Sequence, residues 1–299
     1  MTRTIDLEFI TPLFSHGATD APEIRPASIR GQLHAWFRII GGDIEAERRV
    51  FGGIKQKKAD PRVMKSHMDT MASKIVVRVS GITGSPVVDL PTLPHKRERM
   101  AAPRKAFPAG TKCRVTIQDR LRGLSEDDEL LLNRAVDAWL LMGTLGFRST
   151  RAAGSFAWND ESFPMPTEPQ AYEDVCRDLL DEANARAKVA VLGKDYKFPE
   201  TAETARRDVS DSLGGREDRD GQNDLARIHD PLGKVFGGRK TSPLKYRILR
   251  FKDVFRILAF WDGRDEVTGN SDNDFYDVVS LLNNRKRERI GEQLKKAFG

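Results

Sequence analysis

An α+β fold is predicted for the first half of the chain by three observations. Short segments alternate apolar and polar residues at period two, longer ones repeat their apolar residues at helical spacing, and the segments follow the order β-α-β-β-α-β. That order is the ferredoxin-like, or RRM-like, arrangement, in which two helices cover one face of an antiparallel sheet.

Residues 4–10 open as a strand, with Ile5, Leu7 and Phe9 alternating against Thr4, Asp6 and Glu8. A loop holding Pro12, Gly17, Pro22 and Pro26 follows. From Ser28, the residues Ile29, Leu33, Trp36, Phe37 and Ile40 recur at helical spacing until Gly41-Gly42 supplies a stop. The other side of this helix carries Arg30, His34 and Arg38 at i, i+4 and i+8, aligned as a basic ridge. Residues 74–82 and 112–118 are the two middle strands. Between them, residues 84–110 are rich in proline and basic side chains, among them Lys96, Arg97 and Arg104, so a long flexible excursion is expected. Ser125, followed by Glu126, Asp127 and Asp128, starts a second helix that runs to about Met142. A glycine-rich turn, residues 143–154, leads into a last strand at 155–158.

An acidic, proline-containing linker is expected at 159–169. It divides the chain into a ferredoxin-like domain, residues 1–165, and a second, partly helical module, residues 166–299. That module shows a helical pattern at 170–191, a polar stretch at 206–222 and a strand at 244–251. A terminal helix carries Arg285, Lys286, Arg287, Arg289, Lys295 and Lys296. Phe51-Gly52-Gly53 and Phe236-Gly237-Gly238 are each followed by basic residues, Lys55 in one case and Arg239 and Lys240 in the other, an echo that hints at two related modules.

Composition narrows the function classes. The chain has 299 residues, 50 Lys plus Arg against 44 Asp plus Glu, and 39% hydrophobic content. Its net charge is +6 and its mean hydropathy −0.51, which describe a globular protein with a well-solvated, basic surface. The first ten residues lack the uninterrupted apolar run of a secretory signal, and the most apolar neighbourhood, 130–147, is broken by Asn133, Arg134 and Asp137. No membrane partner is expected. The two cysteines, Cys113 and Cys176, stand far apart with no partner motif, which favours a reducing cytoplasm over a disulfide framework or zinc site.

The most specific motif runs from Gly143 to Ser155 and reads GTLGFRSTRAAGS. Glycines such as Gly146 and Gly154 let backbone approach a partner closely, Ser149 can bond a phosphate oxygen, and Arg148 and Arg151, three apart, can clamp adjacent phosphates. The loop is neither a P-loop, because Gly233-Lys234 is followed by Val235, nor a Rossmann fingerprint, because its glycines follow a helix and precede a strand.

Thr11-Pro12-Leu13-Phe14, the run EIRPASIRGQLHAWFR at 23–38, Val50-Phe51-Gly52-Gly53 and the glycine-rich loop, in that order, resemble the RAMP proteins of CRISPR RNA-guided systems. Within that superfamily, these motifs and the late Thr241-Ser242-Pro243-Leu244 are similar to the first RAMP subunit of the type III-B Cmr module. The resemblance is dense over residues 4–158 and patchy, around 232–249, in the rest. It implies a non-catalytic RNA-binding subunit of an antiviral effector ribonucleoprotein, placed near the 3′ end of the guide RNA. Guide RNA, target RNA and other RAMP subunits are the implied partners, with no cofactor and no metal. One departure stands out. The family's loop usually ends in an aromatic between two glycines, whereas this chain has Ala152-Ala153-Gly154.

The candidate RNA-binding residues are therefore Gly146, Arg148, Ser149, Arg151 and Gly154, then Arg25, Arg30, His34, Arg38, Gly52, Gly53 and Lys55, with Arg239 and Lys240 from the echo. The rivals are a free-standing basic RNA-binding protein outside CRISPR and an RNA-cutting RAMP subunit. Asp20 lies where target-cutting relatives carry a catalytic aspartate, and His16 or His34 could act as general acid or base. His229-Asp230, by contrast, reads as a turn before Pro231.

Overall fold

The structure is a computed structural model and describes residues 1–56, 68–93, 103–120, 123–197, 201–213, 242–268 and 289–298. Its first half contains β1 (Thr2–Phe9), α1 (Pro26–Ile39), α2 (Ile44–Phe51), β2 (Gly53–Gln56), β3 (Met68–Met71), β4 (Ile75–Thr83), β5 (Val88–Pro91), β6 (Pro103–Ala106), β7 (Lys112–Asp119), α3 (Glu126–Met142) and β8 (Phe156–Asn159).

The main sheet has the order β4-β7-β1-β8, antiparallel throughout. It is the ferredoxin-like order that the segment pattern implies. The pleat explains the register: Ile5, Leu7 and Phe9 of β1 and Cys113, Val115 and Ile117 of β7 point inward and are buried, while their neighbours face out. Helices α1 and α3 pack on the inner face through Leu33, Phe37, Leu132 and Trp139. Pro26 starts α1, and Gly42 closes it by donating its N–H to the Phe37 carbonyl at 2.8 Å. The Ser125 side chain caps α3, whose first turn holds four acids at the positive end of the helix dipole.

The second half contains α4 (Pro169–Glu182), β9 (Ala187–Val191), β10 (Tyr196–Lys197), α5 (Ala202–Leu213), β11 (Leu244–Phe251), β12 (Val254–Asp262), α6 (Asp265–Thr268) and α7 (Arg289–Phe298). Strand β12 is central, with β11 on one side and β9 and β10 in succession on the other. One buried cluster runs from the first sheet through Tyr172 and Cys176 of α4 into Leu249, Phe251, Leu258 and Phe260. Trp36 of α1 meets Phe260 with ring centroids 4.9 Å apart. No described helix is long and apolar enough to cross a membrane.

Four segments depart from the sequence expectation. Residues 170–191 are not one helix: α4 ends at Glu182, Asn184 takes a left-handed φ of +47°, and β9 then pairs with β12, which buries Val189 and Ala190. The polar stretch from Arg206 begins inside α5, whose inward Ala202, Ala205 and Val209 are too small to make an obvious apolar stripe. The excursion 84–110 is not a free arm where it is described. Strands β5 and β6 pair along four positions, and Phe107 bridges to Leu13 with reciprocal backbone bonds of 2.9 Å, which buries Ala106 and Phe107. Helix α2 and the β2–β3 ladder were not expected at all. Lys96, Arg97, Arg285, Lys286, Arg287, Arg239 and Lys240 lie outside the described residues.

Candidate nucleic-acid interface

The glycine-rich loop leaves the C-terminus of α3 and folds back onto the segment after β1. Leu145 N–H donates to the Gly154 carbonyl at 3.0 Å, Gly154 N–H to Pro12 at 2.9 Å, and Phe147 N–H to Phe14 at 2.8 Å. These approaches demand glycine. A Cβ on Gly154 would stand 1.9 Å from the Leu145 oxygen, and one on Gly146 2.5 Å from the Phe14 oxygen, both at positive φ. The glycines thus shape the loop from within. The tip turns tightly, with Arg151 N–H donating to the Arg148 carbonyl at 2.9 Å, and Arg148 sits exposed at φ +59°.

Two hydroxyls lock the loop's base. Thr11 Oγ1 donates to the Ala152 carbonyl at 2.7 Å and accepts from Ser155 N–H at 2.9 Å. Ser155 Oγ also donates to Ala152 and accepts from Ile248 N–H, and Tyr246 N–H donates to Thr150. Beneath them lies Arg247, fully buried, whose guanidinium donates to the carbonyls of Leu140, Gly143 and Phe156 and stacks on the Phe156 ring at 4.3 Å. Helix α3 has no basic residue in its last turn. Arg247 of β11 supplies the cation its C-terminal dipole favours.

Three guanidinium groups share this corner. Burial pushes the Arg151 pKa down, and the Arg148 charge adds to it. Burial likewise lowers that of Arg206, on α5, and Arg148 acts on it as well, although its partner Glu203 works in the opposite sense. Arginine stays charged at neutral pH in any case; buried Arg206 is paired with Glu203 at 2.5 Å, which leaves Arg148 and Arg151 as the positive charge that an anion would relieve. Phe147, 49% exposed, stands beside it, with the His16 ring centroid 5.8 Å away and the Arg104 guanidinium carbon 5.7 Å from its own. Nothing in the sequence marks Arg206 or Arg104 as neighbours of the loop; both arrive through the packing of α5 and β6. Phe147 lay in plain view inside the motif.

The basic ridge is real in its alignment and tied up in its chemistry. Arg30 donates to the Phe51 carbonyl at the end of α2, His34 Nδ1 lies 2.5 Å from Glu47 Oε1, and Arg38 donates to Glu47 Oε2 at 2.8 Å. Arg38 and Arg25 keep outward surface, with Arg25 4.0 Å from Glu23. Gly52, at φ +76°, lets β3 pass, since a Cβ there would stand 2.6 Å from the Met71 oxygen. Gly53 and the backbone of Lys55 belong to β2. Asp20 is exposed, 4.0 Å from Arg104, and among the described residues no cluster of three or more His, Cys, Asp or Glu could hold a metal ion.

Burial opposes ionisation of Glu47, but hydrogen bonds from Arg38 and His34 outweigh it and hold the carboxyl below the usual glutamate range. A carboxyl whose folded pKa is depressed stabilises fully above its unfolded pKa, and that stability is lost as pH falls through the folded value. Glu47→Gln is therefore expected to cost about 1–3 kcal/mol at pH 7. In thermal unfolding, the gap to the unsubstituted protein is expected to close as pH falls below about 4.5. A gap of equal size at pH 3 and pH 7 would show that this ion pair does not anchor α2.

The open face of the main sheet is polar. Its outward positions include Thr4, Asp6 and Glu8 on β1, Lys112, Arg114 and Thr116 on β7, and Arg78 and Ser80 on β4, none of them aromatic. Asp6 pairs with Arg114 at 2.7 Å, and Glu8 with Arg250 at 2.6 Å, across a shallow groove of about 630 Å³. Stacking of bases on aromatic strand residues, as RRM sheets do it, has no ring to use on those positions.

The RAMP superfamily profile matches residues 6–157, from β1 to β8. Among characterised proteins, the Cmr subunit Cmr1-2 of the Pyrococcus furiosus CRISPR system is 29% identical over 177 residues, 50% of this chain and 91% of that protein. The Cmr subunit Cmr1-1 of the same organism is 21% identical over 301 residues, 92% of this chain and 68% of that protein. The apo crystal structure of Cmr1 from Pyrococcus furiosus shares the fold with a TM-score of 0.55 at 20% identity, covering 94% of this chain and 96% of that one. A chain of the type III-B Cmr-β complex, solved by cryo-EM with cognate target RNA, does so with a TM-score of 0.52 at 9% identity, covering 94% and 98%. The profile spans just over half of the chain and takes in both the 23–38 segment and the glycine-rich loop, so this protein belongs to the RAMP superfamily.

Proposed function

We propose that the chain is a non-catalytic RNA-binding subunit of a type III CRISPR effector, holding the 3′ region of the guide RNA and the target paired to it. The observation that carries this reading is the pair of Arg148, exposed, and Arg151, half-buried, on the tight turn of a loop held rigid by Gly146 and Gly154. Phosphate contacts of this kind give affinity with little sequence discrimination. Arg148, Ser149 and Arg151 are the principal contacts. Arg25 and Arg38 are further contacts, as are Lys55, Arg239 and Lys240 on the sequence pattern alone, and Arg30, His34, Gly52 and Gly53 fix the elements around them. The names of its Pyrococcus furiosus relatives, Cmr subunits, support membership of a multi-subunit assembly, with other RAMP subunits as neighbours and the cytoplasm as its place. Residues 1–165 and 166–299 act as two modules joined by the Arg247 clamp.

The test is incubation of the purified chain with end-labelled single-stranded RNA, with and without magnesium or manganese. The RNA is expected to be bound and left intact. Cleavage that disappears in Asp20→Ala or His16→Ala would replace this reading with the RNA-cutting one.

A further inference from the structure

We propose that Phe147, flanked by His16 and Arg104, is a stacking platform for one unpaired nucleobase of the bound RNA. The inference rests on the RNA-binding reading and adds the part of the ligand that phosphate contacts leave undescribed.

Among the exposed large apolar side chains of the described residues, Phe147 is the one aromatic. Its exposure is built in. Its N–H is fixed to the Phe14 carbonyl, Gly146 before it has no room for a Cβ, and Arg148 after it takes a left-handed φ that an arginine rarely adopts. A ring held outward at a pinned turn loses little freedom when something stacks on it.

Its surroundings say what that occupant is. The two neighbouring groups, an imidazole and a guanidinium, are planar and themselves stack on bases. His16 Nδ1 is buried without a hydrogen-bond partner among the described residues, so the imidazole acts on the site through its ring contact with Phe147. Arg148 and Arg151 follow in the same tight turn and put positive charge beside the ring, which suits the phosphate of a stacked nucleotide. One ring is too small an apolar patch to seat a protein partner, and its rim is cationic, so a planar group carrying negative charge is the complementary occupant. A paired base inside a duplex already has both faces covered; a base that is unpaired or at the end of a stack offers one. Stacking on an aromatic face tolerates any base.

The test compares two labelled oligonucleotides of equal length, an oligouridylate and a fully abasic version, binding to the full chain and to Phe147→Ala and Phe147→Trp. The unsubstituted chain is expected to prefer the oligouridylate by about tenfold. Phe147→Ala is expected to abolish that preference while leaving abasic binding and the salt dependence unchanged, and Phe147→Trp to keep it. A folded Phe147→Ala that retains the full preference overturns the platform alone. A chain that binds neither oligonucleotide overturns the RNA-binding reading and the platform with it.

Discussion

Alanine at both Arg148 and Arg151 is expected to weaken RNA binding by a similar factor for unrelated sequences. It should also flatten the salt dependence by about 0.7 for each lost phosphate contact on a log–log plot of affinity against salt. The loop backbone does not depend on either guanidinium, because its bonds run through main-chain groups and the hydroxyls of Thr11 and Ser155. The double variant therefore keeps the fold while removing the charge. Arg151 is the more informative single change. Its half-buried side chain already bears the cost of standing near Arg148, and a bound phosphate relieves it. Arg78→Ala, on the open sheet face beside Gln118, is the matched control and is expected to leave the slope alone. An unchanged slope in the folded double variant would make the loop a purely structural feature.

Arg247→Met is expected to destabilise the protein by about 3–5 kcal/mol, because it strands buried carbonyls that no water can reach. The unfolding midpoint should fall by about 10 °C. Methionine preserves much of the volume and the contact with the Phe156 ring, so the loss reports on the carbonyls of Leu140, Gly143 and Phe156 more than on packing. Those carbonyls belong to the end of α3, the root of the glycine-rich loop and β8. Loosening them should also weaken RNA binding, through the loop and without touching RNA. An unaltered midpoint would mean the clamp contributes nothing to joining the two halves.

The parts of this molecule that could be read in its sequence are those where one residue's neighbours along the chain decide its environment. Strands β1 and β11 show their pleat in alternation or in a dense apolar run, and α3 announces its start with Ser125 and four successive acids. What could not be read depends on partners distant in sequence. Arg247 looks like a surface residue interrupting a strand, and only the arrival of α3 buries it. Glu47 sits in a helix of only eight residues, too short to show a helical repeat, so the ridge of Arg30, His34 and Arg38 showed its alignment but not the carboxylate that holds it. Helix α5 hid because alanines make a weak stripe, and Arg206 was hidden with it. The loop's glycines were visible, but the oxygens of Leu145 and Phe14 that forbid a side chain there were not.

Photo-crosslinking of 4-thiouridine RNA to the full chain, followed by mapping of the modified peptides, tests the central claim most directly. Adducts are expected within residues 143–158, centred on Phe147 and its neighbours, with further ones near Arg104. Adducts confined to the open sheet face, at residues 76–80 and 112–118, with none in the glycine-rich loop, would contradict it.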